Sequence, residues 1–442
     1  MSVNITKIKN NTFLIYASCL ILLIEVAQGF YFKGDISKAG TNLASFFIIS
    51  CLGYIILTDK NYRTQIFHNK KSIIFLAFAL LMIFWVSYSA AKGEYKYDLF
   101  LFMRSICLGW LIFNFSAALK QEEKHKTLLR ISLILWFAVS TSIILGSISG
   151  FGLYTYEEHK SGYKFFFPSV NELNFVYFSS FLILFYHPKP PIFKAFLLIF
   201  TAVTFFTIGN KSFIALAIIA SLSILYLNLS TSSKYLYISI AILALLFSWQ
   251  FNVFSIILEK LTDTTIYILT NLSSGSNKLI AKLSYLDPFS ALTSERDKLF
   301  AIAWNVYSNN YGVGETLAGM GYSNYGIMYS NARASGDFSF SEIDIVDLFM
   351  SYGLIGIFSF FFLIRRIWKS PPSDRKLTSL KKTLIIVFTL SGILTGHIYF
   401  MGFPVFIFCC YVGLLTTPTK TRSPVPIRSA SNSLQTAVIT AK

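Results

Sequence analysis

Charge is scarce in this chain. Of its 442 residues only 13% are charged, and acids are the rarer sign, 21 against 38 Lys and Arg. Soluble domains carry about 25% charge, so that class is excluded. Cysteine is equally thin: Cys19, Cys51, Cys107, Cys409 and Cys410 all fall inside apolar runs, and none stands in a loop where a disulfide would form. No Cys/His spacing of a metal site occurs, so neither metal nor cofactor is expected. Phosphate-binding glycine loops and dinucleotide fingerprints are missing, as are an internal repeat and an Asp-x-Asp motif in an outer loop. A cleavable leader is not expected either, because Lys7 and Lys9 precede an apolar run of full membrane length.

What the chain does have is hydrophobic length. Apolar residues make up 54% of it, with 45 Phe, and mean hydropathy is +0.59. A run of about 18 apolar residues crosses a ~30 Å hydrocarbon core, and in lipid such a run must be helical to satisfy its own backbone. Many windows reach that length, and the spans read as roughly 12–31, 41–58, 72–91, 98–119, 131–149, 173–187, 192–208, 212–230, 235–257, 343–364, 383–398 and 403–417. The expected fold is an all-α polytopic membrane protein of about 12 transmembrane helices. It divides into an N-terminal bundle (1–257), one large outer loop with short helices (258–341), C-terminal helices (342–417) and a Ser-, Pro- and Thr-rich tail (418–442) expected to be disordered.

The net charge of +17 does not indicate nucleic acid, because the basic residues cluster between spans as membrane topology requires. With the N-terminus inside, 24 of the 38 Lys and Arg fall on short inner loops and tails. Both termini are then cytoplasmic, and the segments 32–40, 92–97, 150–172, 209–211, 258–341 and 399–402 face outward.

Candidate residues for chemistry lie on that outer face. Ser294-Glu295-Arg296 opens an apolar-periodic stretch that reads as a surface helix. Arg296 sits in its first turn, and Lys278, Lys282, Lys298 and Arg333 add charge in the same loop. Segment 150–172 combines His159, Lys160 and Lys164 with aromatics and ends in Asn171-Glu172; its rings suit either a membrane interface or a sugar face. Lys211, in the turn Gly209-Asn-Lys-Ser212, opens a helix. A cation beside free N–H groups seats a diphosphate, although a snorkelling lysine would look the same. Glu25 and Arg104 lie at matching depth inside two spans, as an ion pair or as two walls of one cavity. Glu342, Asp344 and Asp347 open the tenth span. Glu342 or Asp344 could take a hydroxyl proton, with His397 as the alternative base.

Three segments resemble the O-antigen polymerase and O-antigen ligase superfamily of bacterial envelope glycosyltransferases. They are Gly209-Asn-Lys-Ser-Phe-Ile-Ala-Leu216, the segment Gly162 to Glu172, and the series Arg296, Gly319-x-Gly321, Glu342-x-Asp344, Gly353-x-x-Gly356. Lys211 stands where many members have Arg, and Glu342 to Asp347 has no His where ligases have one; this favours the polymerase branch. The resemblance implies a GT-C-like fold in the bacterial inner membrane. It also implies a metal-independent transfer of glycan from undecaprenyl diphosphate to another lipid-linked repeat unit on the periplasmic face. Arg296 and Lys211, with Lys164, Lys160, Arg333 and Arg104, would receive the diphosphate. Partners would be lipid-linked oligosaccharides, membrane lipid and a chain-length regulator protein. Competing readings are a ligase using lipid A-core as acceptor, and a flippase or other transporter of the same lipid-linked glycans.

Overall fold

The computed structural model describes residues 10–32, 39–58, 72–91, 96–156, 161–187, 190–209, 212–228, 296–333, 340–341, 343–372, 377–394, 396 and 398–417. The expected span 235–257, the loop up to residue 295 and the tail 418–442 lie outside them. Within them each of the other expected spans overlaps helix, the run 98–119 as two α-helices joined by a π-helical stretch. In chain order these are α1 (Asn10–Phe32), α2 (Ala39–Thr58), α3 (Ser72–Ala91), α4 (Lys96–Leu101), a π-helical stretch (Phe102–Cys107), α5 (Leu108–Ala118) and α6 (Gln121–Ser149). There follow α7 (Val170–Tyr186), α8 (Pro191–Ile208), α9 (Ser212–Asn228), α10 (Arg296–Asn310), α11 (Val313–Ala318), α12 (Tyr322–Arg333), α13 (Asp344–Lys369), α14 (Thr378–Leu394) and α15 (Gly402–Leu414). Most of α1, together with α6, α8 and α13, is long and apolar enough to cross a membrane. The architecture fits a helical membrane protein.

The pattern of burial explains the layout. All 13 residues of α15 are buried, as expected of a helix that is apolar all round. It forms the central post, packed by α5, α7, α6, α1 and α14. Polar side chains inside the bundle bond across helices: Trp136 donates to Thr201 (2.9 Å), Ser140 pairs with Tyr177 (2.8 Å) and Ser180 with Tyr411 (2.8 Å). Such bonds average about 0.6 kcal/mol in membrane bundles. They fix register more than they supply stability.

Two short strands qualify the all-α expectation. β1 (Leu153–Tyr156) and β2 (Ser161–Phe165) form an antiparallel hairpin in the segment expected to be loop. A second difference lies in α6, which begins ten residues before the expected span, inside a stretch that holds Lys124, Lys126 and Arg130. Lys124 is the reason the helix can begin there. Its side chain is buried (1% exposed) and its Nζ donates to the Ala117 carbonyl (2.8 Å) and the Thr416 carbonyl (2.5 Å). One ammonium thereby covers the C-terminal ends of α5 and α15, where carbonyls lack helical partners and the dipole favours a cation. Lys381 does the same for α13 through the Ser370 carbonyl (2.6 Å) and hydroxyl (2.7 Å). These lysines mark one end of the bundle; the hairpin marks the other, about 33 Å along α6 at 1.5 Å per residue. Lys124→Met keeps the bulk but strips two buried carbonyls of their donor. It is expected to lower stability by about 1–3 kcal/mol, read as a lower Tm in detergent.

Candidate functional site

At the hairpin end the tenth expected span is not a continuous helix. α13 breaks at Gly353 (φ 62°, ψ −161°). The break exposes carbonyls that a helix would have used, and the segment from Tyr311 to Gly321 supplies their partners. The Met350 carbonyl accepts the Met320 N–H (3.3 Å) and the Tyr311 hydroxyl (2.6 Å), and the Ser351 carbonyl accepts the Gly321 N–H (2.9 Å). Non-helical backbone is tolerated at membrane depth only where protein satisfies it in this way. The crossing is so close that a Cβ on Gly319 (φ 78°) would fall on the Ser351 carbonyl, and one on Gly353 would fall on the Leu317 carbonyl. The Trp85 indole N–H then holds the Ala318 carbonyl at 2.9 Å, which ties α11 to α3.

The acids around this crossing are engaged. Asp344 Oδ2 accepts the N–H groups of Ile398 (2.6 Å) and Tyr399 (2.7 Å), which fastens the start of α13 to the turn before α15. Asp347 Oδ1 accepts from the Ser341 N–H (3.0 Å), the Ser341 hydroxyl (2.6 Å) and the Tyr325 hydroxyl (3.1 Å). Burial and the Asp347 carboxylate hold the Tyr325 phenol well above its ordinary pKa, so it stays a donor. A further acid, Asp98, stands at the start of the run 98–119. Its carboxylate takes the N–H groups of Tyr322 (2.8 Å) and Ser323 (2.9 Å), the first two residues of α12. The Ser323 hydroxyl in return accepts the Asp98 N–H at 3.3 Å. The signal available in the sequence was an acid at a span end, and its partner lies 224 residues away.

The cation-bearing segments occupy the same end. Gly162 of β2 packs on the C-terminus of α8: a Cβ there would meet the Ile208 carbonyl, and Gly209 lies against Gly162. Thr155 donates to the Ile208 carbonyl at 2.7 Å. The structure thus brings together two of the segments singled out in the sequence, the hairpin and the turn that begins at Gly209. Lys164 sits half-buried on β2. Arg104 lies in the π-helical stretch, a distortion often found at functional sites. Glu25 is buried on α1. Arg296 opens α10, and Arg333, exposed, ends α12. Lys160, Lys211, Glu342 and His397 lie outside the described residues.

Next to the broken helix is an apolar cavity of about 70 Å³. Its lining descends α13 from Leu348 through Tyr352 and Leu363 to Ile367, with Met82 and Phe388 opposite. Ser105, neighbour of Arg104, is part of its wall. The backbone junction of α11, α12 and α13 therefore adjoins an apolar cavity. The sequence matches no protein-family model and no curated protein at a significant level.

Proposed function

We propose that the protein is a polysaccharide polymerase that transfers a glycan from undecaprenyl diphosphate to the non-reducing end of another lipid-linked repeat unit. The observation that carries this reading is the juxtaposition just described: outer helices α11 and α12 cross the broken end of α13 beside an apolar slot along the same helix. In this reading the first apolar part of the polyprenyl chain lies against the α13 residues that line the cavity, and the diphosphate and sugars belong at the polar end. One of the segments that resemble the O-antigen polymerase and ligase superfamily, the series that includes Gly319, Gly321, Asp344 and Gly353, forms this crossing, and the resemblance supplies the reaction.

In that reaction an acceptor hydroxyl attacks the anomeric carbon of the donor. The new C–O bond forms as the bond from that carbon to the diphosphate oxygen breaks, and undecaprenyl diphosphate leaves with the electron pair. Fixed cations stabilise the developing charge; Arg296 and Lys211 take this role, with Lys164, Lys160, Arg104 and Arg333 contributing to the field. Arg296 suits it because it opens α10, where the helix dipole favours an anion. The hydroxyl proton passes to Glu342. Asp344 holds two backbone N–H groups on Oδ2 and in this scheme positions the turn; His397 is the alternative base. The chain acts in the bacterial inner membrane with both termini in the cytoplasm.

A transporter of lipid-linked glycans is the second reading, favoured by one observation: substrate sites in transporters are built on discontinuous helices, and α13 is one. Purified protein given lipid-linked repeat units alone decides. A ladder of products supports the polymerase; transfer only when lipid A-core is added supports a ligase; vesicle translocation without new linkages supports transport. Arg296→Ala is expected to cut product by about 10²-fold or more, the usual cost of removing one stabilising donor, with Tm unchanged. Full activity in that variant would remove the main catalytic assignment.

A further inference from the structure

The aromatic residues of α10 are arranged in a way that the reaction above does not use. Phe300 and Trp304 stack at 6.4 Å with 26° between their planes, Trp304 meets Tyr307 at 5.4 Å, and Tyr307 meets Tyr311 at 5.2 Å. The spacing i, i+4, i+7, i+11 puts the rings on one stripe of the helix. The outer two are open, Phe300 at 46% and Trp304 at 58% exposure. The inner two lead to the helix break: Tyr307 packs on Phe349 (5.6 Å) and Tyr311 donates to the Met350 carbonyl. The stripe therefore runs without interruption from the open surface to the polar junction.

We propose that this stripe is a saccharide track that holds the glycan chain as it leaves the junction. The inference rests on the reading that the protein handles glycans. Three features select the occupant. From Leu299 to Asn310 the helix carries no charged residue, so an acidic or basic partner finds no complement. Exposed Asn305, Ser308 and Asn309 border the rings and offer amide and hydroxyl groups that both donate and accept. A neutral ligand with apolar C–H faces and a rim of hydroxyls matches both parts, and that is a sugar ring. A helix built to lie at a lipid surface carries Lys or Arg on its polar face opposite the Trp, Phe and Leu, and the polar positions from Leu299 to Asn310 hold Asn and Ser with no cation. Rigid aromatic side chains also lose little freedom on contact, which suits a weak, repeated hold on a moving chain.

The test uses the full chain in nanodiscs, supplied with lipid-linked repeat units from the source cells, and reads both the rate of the first transfer and the length of the product. Trp304→Ala and Phe300→Ala are expected to leave the first transfer unchanged and to shorten the modal length at least two-fold, while Trp304→Tyr keeps it. A wild-type protein that makes polymer and a Trp304→Ala variant that makes the same length would overturn the track. Should wild type make no polymer, the polymerase reading fails. The track is then judged by titrating delipidated polysaccharide from the same cells against the Trp304-dependent part of the emission. A saturable change supports it, and no change overturns it. Quenching of that emission by brominated lipids also overturns it and assigns the stripe to the bilayer.

Discussion

Gly319→Val eliminates activity and lowers stability by at least about 3 kcal/mol. Two costs act together. Gly319 has φ 78°, a conformation that costs a β-branched residue about 1–3 kcal/mol. Its new Cβ would also collide with the Ser351 carbonyl, backbone that cannot rotate away. Relief requires α11 to lift from α13, which breaks the bonds from Met320, Gly321 and Tyr311 to the carbonyls of Met350 and Ser351. Each buried carbonyl left bare costs about 1–3 kcal/mol. Gly353→Val is expected to behave alike, since its Cβ would strike Leu317 and Ala318 from the other side. Gly314→Ala is the control: that position has open space around it and lies in a helix, so it should be neutral or gain about 0.4–1 kcal/mol. Thermal unfolding in detergent and proteolysis across 311–333 read the difference. A Gly319→Val protein as stable and protected as wild type would show that the crossing is not close.

Asp98→Ala is the second large effect. The carboxylate is fully buried and receives two N–H groups at the positive end of α12. Hydrogen bonds to a charged group contribute about 1.5–3 kcal/mol each, and removal leaves the first donors of a helix without acceptors. The loss is expected to be local: α12 frays from α4 while the bundle around α15 stays intact. Hydrogen exchange should accelerate at 322–326 and remain unchanged at 402–414. Asp98→Asn keeps one acceptor, and about half the protection is expected to survive. Uniform exchange across both segments in Asp98→Ala would mean that the carboxylate serves the whole fold rather than this junction.

The two predictions show where sequence was sufficient and where it was not. Helix positions were legible because a lipid-length apolar run has one way to satisfy its backbone, and expected spans such as 72–91 and 192–208 differ from α3 and α8 by a residue at most. Glycines 319, 321 and 353 stood out as a series, but their purpose was not visible. The close approach joins residues more than 30 apart, and a break in a helix leaves no local trace beyond one glycine. Glu342 and Asp344 read as possible bases because three acids, with Asp347, exceed what a helix start needs; Glu342 lies outside the described residues, while Asp344 and Asp347 are engaged. Their partners, Ile398, Tyr399, Ser341 and Tyr325, could be assigned only with the chain folded. The hairpin at 153–165 was missed because aromatic residues near an interface look alike in strand and loop.

By itself the sequence determined that the chain is helical and membrane-length in its parts, because hydrophobic periodicity and run length are local quantities. Tertiary structure alone decided that α13 is broken, that Asp98 closes the start of α12, that Lys124 covers two helix ends, and that the Gly162 hairpin rests on Gly209. Each of these depends on groups brought within hydrogen-bonding or contact distance from remote positions. Buried polar groups must find partners wherever the fold provides them, and nothing in the order of residues says where that will be.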